Sequence, residues 1–292
     1  MDSSMTAKPN SKNKGQSMDV LRRLFRSKGA VVGLVIITVL LIFAIFADFI
    51  APFGYDDQLL SRRLQAPSSE HLLGTDDYGR DIFSRIVYGS RTSLLIALLS
   101  VAFSSVIGVA IGCIAGYYGG RTDNAIMRFI DILLAIPSIL LAISISAALD
   151  PGVINLVVAV GIGAMPPYAR IVRASVMSER DKEYIEAARS IGANDFRVLI
   201  KHVLPNVMAP IIVQSTMSIS TAIITAASLS FIGLGIAPPT PEWGSMLSAG
   251  RAYIRDAWWV VTFPGLAIMS AVFGFNLLGD GLRDALDPKL KN

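Results

Sequence analysis

The feature that most constrains this chain is its set of long stretches without a single charged residue. Gly29 to Ala47, Thr92 to Gly120, Ile132 to Leu149, Pro151 to Ala169, Val203 to Pro241 and Ala257 to Gly279 contain no Asp, Glu, Lys or Arg. A helix needs about 20 apolar residues to cross a hydrocarbon layer of about 30 Å. Inside lipid each backbone N–H and C=O must be paired within the segment, so these runs must be helices and not open strands. The fifth run is too long for one span, and Pro238, Pro239 and Pro241 mark its far end as loop. The expectation is an all-α polytopic membrane protein with six transmembrane helices. One membrane domain, 29–282, lies between a basic N-terminal segment, 1–28, and a short tail, 283–292. Only 16% of the residues are charged, against about 25% in a soluble domain.

The segment before the first run is rich in Ser, Asn and Lys, and disorder is expected at its start. The run beginning at Gly29 is longer than the apolar core of a cleaved leader, and no A-x-A site ends it. It reads as an uncleaved first span.

Six crossings put both termini on one side, and the distribution of Lys and Arg then sets the orientation. Loops on the side of the N-terminus hold 19 of the 26 basic residues, including every lysine. Both termini are therefore expected in the cytoplasm of a bacterial or archaeal cell, with segments 48–91 and 242–256 outside. The net charge of +4 is small, and in a membrane protein its placement matters more than its size. No nucleic-acid partner is expected; membrane lipid is the surrounding partner.

Several chemistries are missing. There is no G-x-x-x-x-G-K-[ST] loop to cradle phosphates and no H-E-x-x-H zinc motif. His71 and His202 are expected on opposite sides of the membrane. Asp76, Asp77 and Asp81 do not have calcium-loop spacing. The chain is therefore not expected to be an enzyme or to hold a cofactor or metal. The spans carry no ionisable group of the kind a proton- or sodium-coupled carrier keeps at mid-membrane. Asp131 is the nearest, at the end of the third span, where a surface pair with Arg128 is expected. Lone Cys113 permits no intrachain disulfide and reads as a small hydrophobe. Gly108, Gly112 and Gly116 fall on one helix face, which serves either close helix packing or the lining of a pore.

The stretch 170–205 is the most informative. A helical pattern runs to Ile191, and Gly192 suits a helix end that needs positive φ. Asn194 can cap a second helix, and Pro205 disrupts it or starts the next element. The small Ala187, Ala188 and Ala193 leave room for a close partner. Taken alone, this is either a solvated amphipathic hairpin or a docking element. Glu186-Ala187-Ala188, Gly192 and Leu204-Pro205, with their spacing, resemble the "EAA" loop of ABC-importer permeases. The motif's usual isoleucine is replaced by His202, outside the turn.

Three further stretches narrow the resemblance. Leu73-Gly74-Thr75-Asp76-Asp77-Tyr78-Gly79-Arg80-Asp81, Pro238-Pro239-Thr240-Pro241-Glu242-Trp243-Gly244, and the tail from Asn276 to Pro288 are similar to the C-type subunits of dipeptide, oligopeptide and nickel permeases. The resemblance covers roughly residues 20–292 and implies the type I ABC importer permease fold. It also implies a second homologous permease subunit, two ABC ATPase subunits that bind the ATP, and an extracytoplasmic solute-binding protein. It assigns ATPase coupling to Glu186, Ala187, Ala188, Gly192 and Asp195. Asp76, Arg80, Asp81, Glu242 and Trp243 become candidate outer-loop or partner contacts, with headgroup anchoring as the other reading of Trp243. The implied function is half of a translocation pathway for di- or oligopeptides, with glutathione, a nickel chelate or another small solute as the alternative. An energy-independent channel would not need the hairpin, and a membrane enzyme would need a polar constellation that is absent.

Overall fold

The computed structural model describes residues 12–287. Helix α1 (Lys12–Arg26) leads across Ser27 into α2 (Lys28–Ile45), whose first turn is capped by the Ser27 hydroxyl accepting the Ala30 N–H at 3.4 Å. A short α3 (Ala47–Ile50) and an irregular stretch precede α4 (Ile82–Tyr118). Then come α5 (Gly120–Ala135), α6 (Ser138–Ala148), α7 (Val153–Arg180), α8 (Glu183–Ser190), α9 (Asp195–Val198), α10 (Met208–Phe231), α11 (Trp243–Gly250) and α12 (Trp259–Leu286). No named strand occurs among the described residues. The all-α expectation holds. Later in the N-terminal segment, Val20 and Leu24 give α1 an apolar face that packs on Ala30, Leu282 and Ala285; the start, where disorder is expected, lies outside the described residues. Residues 1–11 and 288–292 of the expected terminal segments lie outside the described residues.

Five stretches are long and apolar enough to cross a membrane: α2, α4, α7, the run Asp195–Phe231, and α12. The third expected span is not one straight helix. It is α5 plus α6, bent by 88° at Ile136-Pro137, because proline has no N–H to continue the ladder. Contacts show that the pair still crosses the bundle once. At its start, Gly119 adjoins the Arg180 guanidinium at the end of α7, and near its end Ser146 Oγ donates to the Leu234 carbonyl beyond the far end of α10 at 3.0 Å. Counted this way the described residues hold six candidate crossings, and α1 and the end of α12 meet at one end of the bundle.

The tightest helix pair is α4 with α7, which run parallel. A Cβ on Gly108 would lie 2.5 Å from Tyr168 Cβ. One on Gly112 would lie 2.6 Å from the Ala169 carbonyl, and one on Gly116 2.8 Å from the Arg173 carbonyl. The glycine face is thus a packing seam. Lipid tails are as apolar as leucine, so helices associate through close van der Waals contact, and the missing side chains permit it. On the other side of the bundle α2 meets α12 in the same way: a Cβ on Gly33 would strike the Gly274 carbonyl at 2.6 Å.

Candidate functional site

At the end where α4 and α7 finish, the chain forms a compact hairpin. The helical pattern does not run unbroken from α7 to Ile191. It stops at Arg180, and α8 starts after an extended Lys182. Gly192 then takes φ +87°, a backbone that residues with a Cβ rarely adopt. Its N–H reaches the Arg189 carbonyl at 2.9 Å while the Ala193 N–H reaches Ala188 at 3.1 Å, closing α8 as a Schellman turn. Asn194 Oδ1 accepts the Arg197 N–H at 2.9 Å and caps α9. The chain continues through a π-turn over Leu199–Val203 and a 3₁₀ turn over Leu204–Val207 into α10.

The hairpin has an inside and an outside. Ile185 and Val198 are fully buried and Ala188 is 6% exposed, all packed against Val176 and Tyr117 in one cluster. Ala188 is therefore small where it packs into the hairpin's own core. Glu186, Ala187 and Gly192 are exposed. Ile191 and Phe196, 87% and 75% exposed, project from the turn. Two apolar side chains so exposed stand on either side of the tight turn.

The hairpin is also anchored. Asp195 accepts a hydrogen bond from the Tyr117 hydroxyl at 2.8 Å, and the Arg189 guanidinium lies 5.1 Å from the centre of the same ring. Arg180 donates to the Gly116 and Tyr117 carbonyls at 2.7 and 3.2 Å, closing the end of α4. Tyr184 donates to Glu179, and Lys182 reaches the same carboxylate at 2.6 Å. Burial and the Glu179 carboxylate push the Tyr184 phenol up to about 12. Asn206, at the foot of α10, donates to the Tyr184 oxygen at 3.0 Å. The tethering residues Tyr117, Glu179, Arg180 and Tyr184 had no signal in the sequence beyond lying near span ends; Asp195 was implied only by the family resemblance. Asp131 pairs with Arg170 of α7 at 2.6 Å, not with Arg128 as expected.

At the opposite end, segments 51–81 and 232–258 are knotted together. Asp76 accepts the N–H groups of Tyr78 and Arg80 at 2.9 Å and the Arg80 side chain at 2.7 Å. Asp81 caps α4 by accepting the Ser84 N–H at 2.7 Å and lies 2.9 Å from His71 Nδ1. Arg85 donates to the Tyr55 carbonyl at 2.7 Å, and the Trp259 indole donates to the Thr75 carbonyl at 3.2 Å. Glu242 caps α11, accepting the Gly244 and Ser245 N–H groups at 2.9 and 2.8 Å. Burial nevertheless pushes its carboxyl above the usual range. Trp243 is fully buried: its indole donates to the Ile86 carbonyl at 3.1 Å, over a space that Gly89 leaves open. The expectation of a Trp243 ring displayed to a partner or to headgroups is corrected. The prolines aim it inward, between α4 and α11. Arg80, Asp81 and Glu242 are likewise buried and tie this chain together.

With these two ends described, comparison with known proteins is decisive. Residues 108–292 match the family of binding-protein-dependent transport system inner membrane components, and residues 15–67 match the N-terminal TM domain of oligopeptide transport permease C. The chain belongs to this permease family. It is 50% identical to a dipeptide transport system permease protein of Alkalihalophilus pseudofirmus, over 94% of this chain and 90% of that one. A di/tripeptide transport system permease protein of Pseudomonas aeruginosa is also 50% identical, over 91% and 90%. A glutathione transport system permease protein of Pectobacterium atrosepticum is 48% identical, over 93% and 90%. Among solved structures, the inward-facing MetNI methionine ABC transporter shares the permease fold, with a TM-score of 0.56 and 20% identity over 70% of this chain and 96% of that one. The permease fold is thus the expected one. Chains of this family are membrane components of transport systems and not enzymes.

Proposed function

We propose that this chain is one of two related permease subunits in an ATP-driven importer of di- and oligopeptides. It would form half of the translocation pathway in a bacterial cytoplasmic membrane. Two ATPase subunits bind and hydrolyse the ATP, and an extracytoplasmic binding protein delivers the substrate. The hairpin faces the cytoplasm with both termini, and its tip at Gly192 docks in a cleft of one ATPase subunit. One observation carries this reading: a tight exposed turn with Ile191 and Phe196 outward is anchored through Asp195 and Tyr117 to the helix pair that crosses the membrane. In this reading the anchored turn carries displacement of the docked subunit to the spans. The relatives named for dipeptide and di/tripeptide transport support the substrate class. The glutathione relative supports a second reading, and glutathione is itself a tripeptide.

The test is reconstitution of the chain with its partner permease, ATPases and binding protein in vesicles, scored for ATP-dependent accumulation of labelled dipeptides and glutathione. Accumulation of dipeptide supports the reading. Accumulation of glutathione alone selects the second. A chain that hydrolyses ATP without any ATPase subunit overturns both.

A further inference from the structure

One face of α10 does not fit a helix that meets only lipid or packed protein. Gln214, Ser218, Thr221, Thr225 and Ser228 recur at spacings of four, three, four and three residues, which places all five on a single stripe. Four of them border an open cleft of about 290 Å³, at the small end of ligand pockets, which run from about 300 Å³ upward. Ser228 lies one turn further along, and its hydroxyl returns to the Ile224 carbonyl at 2.8 Å. Gln214 donates to Ser218 at 3.1 Å, which orients its amide along the stripe. The Thr221 and Thr225 side-chain hydroxyls form no hydrogen bond within the described chain.

A second, independent observation points to the same place. The opposite wall of the cleft is the break between α5 and α6, with Ile136, Pro137 and Ser138 lining it and all three exposed. A helix bent by 88° interrupts its own hydrogen-bond ladder, and Pro137 offers no side-chain cap to the first turn of α6. Irregular backbone at membrane depth persists only where protein covers it or water reaches it. The break is exposed in this chain, so either a hydrated or ligand-filled cleft or a neighbouring subunit must meet it. No charged residue lines the cleft.

We infer that this cleft is a substrate-contact site on the translocation pathway, and that it recognises the backbone amides of a short peptide and not its side chains. The inference rests on the importer reading above. Hydroxyl and amide groups both donate and accept, so they match the alternating N–H and C=O of an extended peptide. A wall with no fixed charge neither selects nor rejects a cationic or anionic side chain, whereas a charged one would discriminate strongly. The cleft therefore binds weakly and without side-chain preference, and a conducting site must be weak enough to release.

The test uses the assembled complex and labelled Ala-Ala, Lys-Ala and Asp-Ala. The double variant Thr221→Val/Thr225→Val keeps side-chain shape and removes both hydroxyls. We expect uptake of all three dipeptides to fall by a similar factor of about ten, with assembly and binding-protein-stimulated ATP hydrolysis retained; this is the loss of about 1.4 kcal/mol of contact. Equal uptake by the variant and the parent overturns the inference, as does a loss confined to one dipeptide. A second measurement is independent of the solute carried. In a Cys113→Ser background, Thr221→Cys should react with a small hydrophilic thiol reagent, and Val106→Cys, exposed on α4, should not. Inert Thr221→Cys overturns the cleft as a hydrated path even if dipeptides are transported. If the parent complex carries no dipeptide, the peptide reading falls, and the cysteine result still decides whether the cleft is hydrated.

Discussion

At Gly192 the backbone alone sets the demand. A Cβ there would meet nothing within 4 Å, so any cost of substitution comes from φ +87° and not from crowding. The left-handed region costs a residue with a Cβ about 1–2 kcal/mol, least for Asn and most for a β-branched side chain. Gly192→Asn should keep most uptake, and Gly192→Val should abolish it while the protein still inserts. Glu186→Gln should matter less than either, because exposed ion pairs are worth about 0–1 kcal/mol. Uptake, assembly and ATP hydrolysis measured on the three variants check the order. Trp243 is a residue of the opposite kind, wholly interior. Trp243→Ala should cost about 3–5 kcal/mol and lower the melting temperature of the purified complex, whereas Trp243→Phe loses chiefly the bond to Ile86. Gly192 was legible because its conformational need is local. Trp243 was not, because a Pro-flanked aromatic gives no sign of which way it will turn.

At the scale of elements, the hairpin is joined to the bundle by few polar contacts, and each can be cut singly. Tyr117→Phe removes the hydroxyl that Asp195 accepts from while leaving the ring under Arg189. A hydrogen bond to a charged group contributes about 1.5–3 kcal/mol. Substrate moved per ATP should therefore drop several-fold with the ATPase subunits still bound, read as the ratio of uptake to hydrolysis in vesicles. Gly112→Leu acts on the seam between α4 and α7, where even a Cβ would stand 2.6 Å from a carbonyl. It should prevent accumulation of folded protein, read by yield and monodispersity in detergent. The spans were legible as charge-free runs, and so was the Gly192-Asn194 punctuation of the hairpin. The bend at Pro137 was missed because a charge-free run looks the same straight or broken. The polar stripe of α10 has the helical period in plain view, but hydroxyls are weakly polar and do not interrupt an apolar run.

For the whole molecule, the test is which end faces out. Ser61 is exposed at the knotted end and Ser190 at the hairpin end. Ser61→Cys should react with an impermeant thiol reagent on sealed cells, and Ser190→Cys only after the membrane is opened. The reverse pattern would invert the molecule. The parallel seam of α4 on α7 has a mechanical meaning as well. Teeth spaced four residues apart, Gly108, Gly112 and Gly116 against Tyr168, Val172 and Val176, cannot slide by a fraction; the next register lies a full turn away, about 5.4 Å. A displacement of either helix would therefore carry the other with it as one beam. One end is pinned by the knot of half-buried Asp76 with buried Arg80, Asp81 and Trp243, and the other carries the hairpin. In the proposed importer the knot would then be the fulcrum, and a push on the hairpin tip would emerge as a tilt at mid-beam.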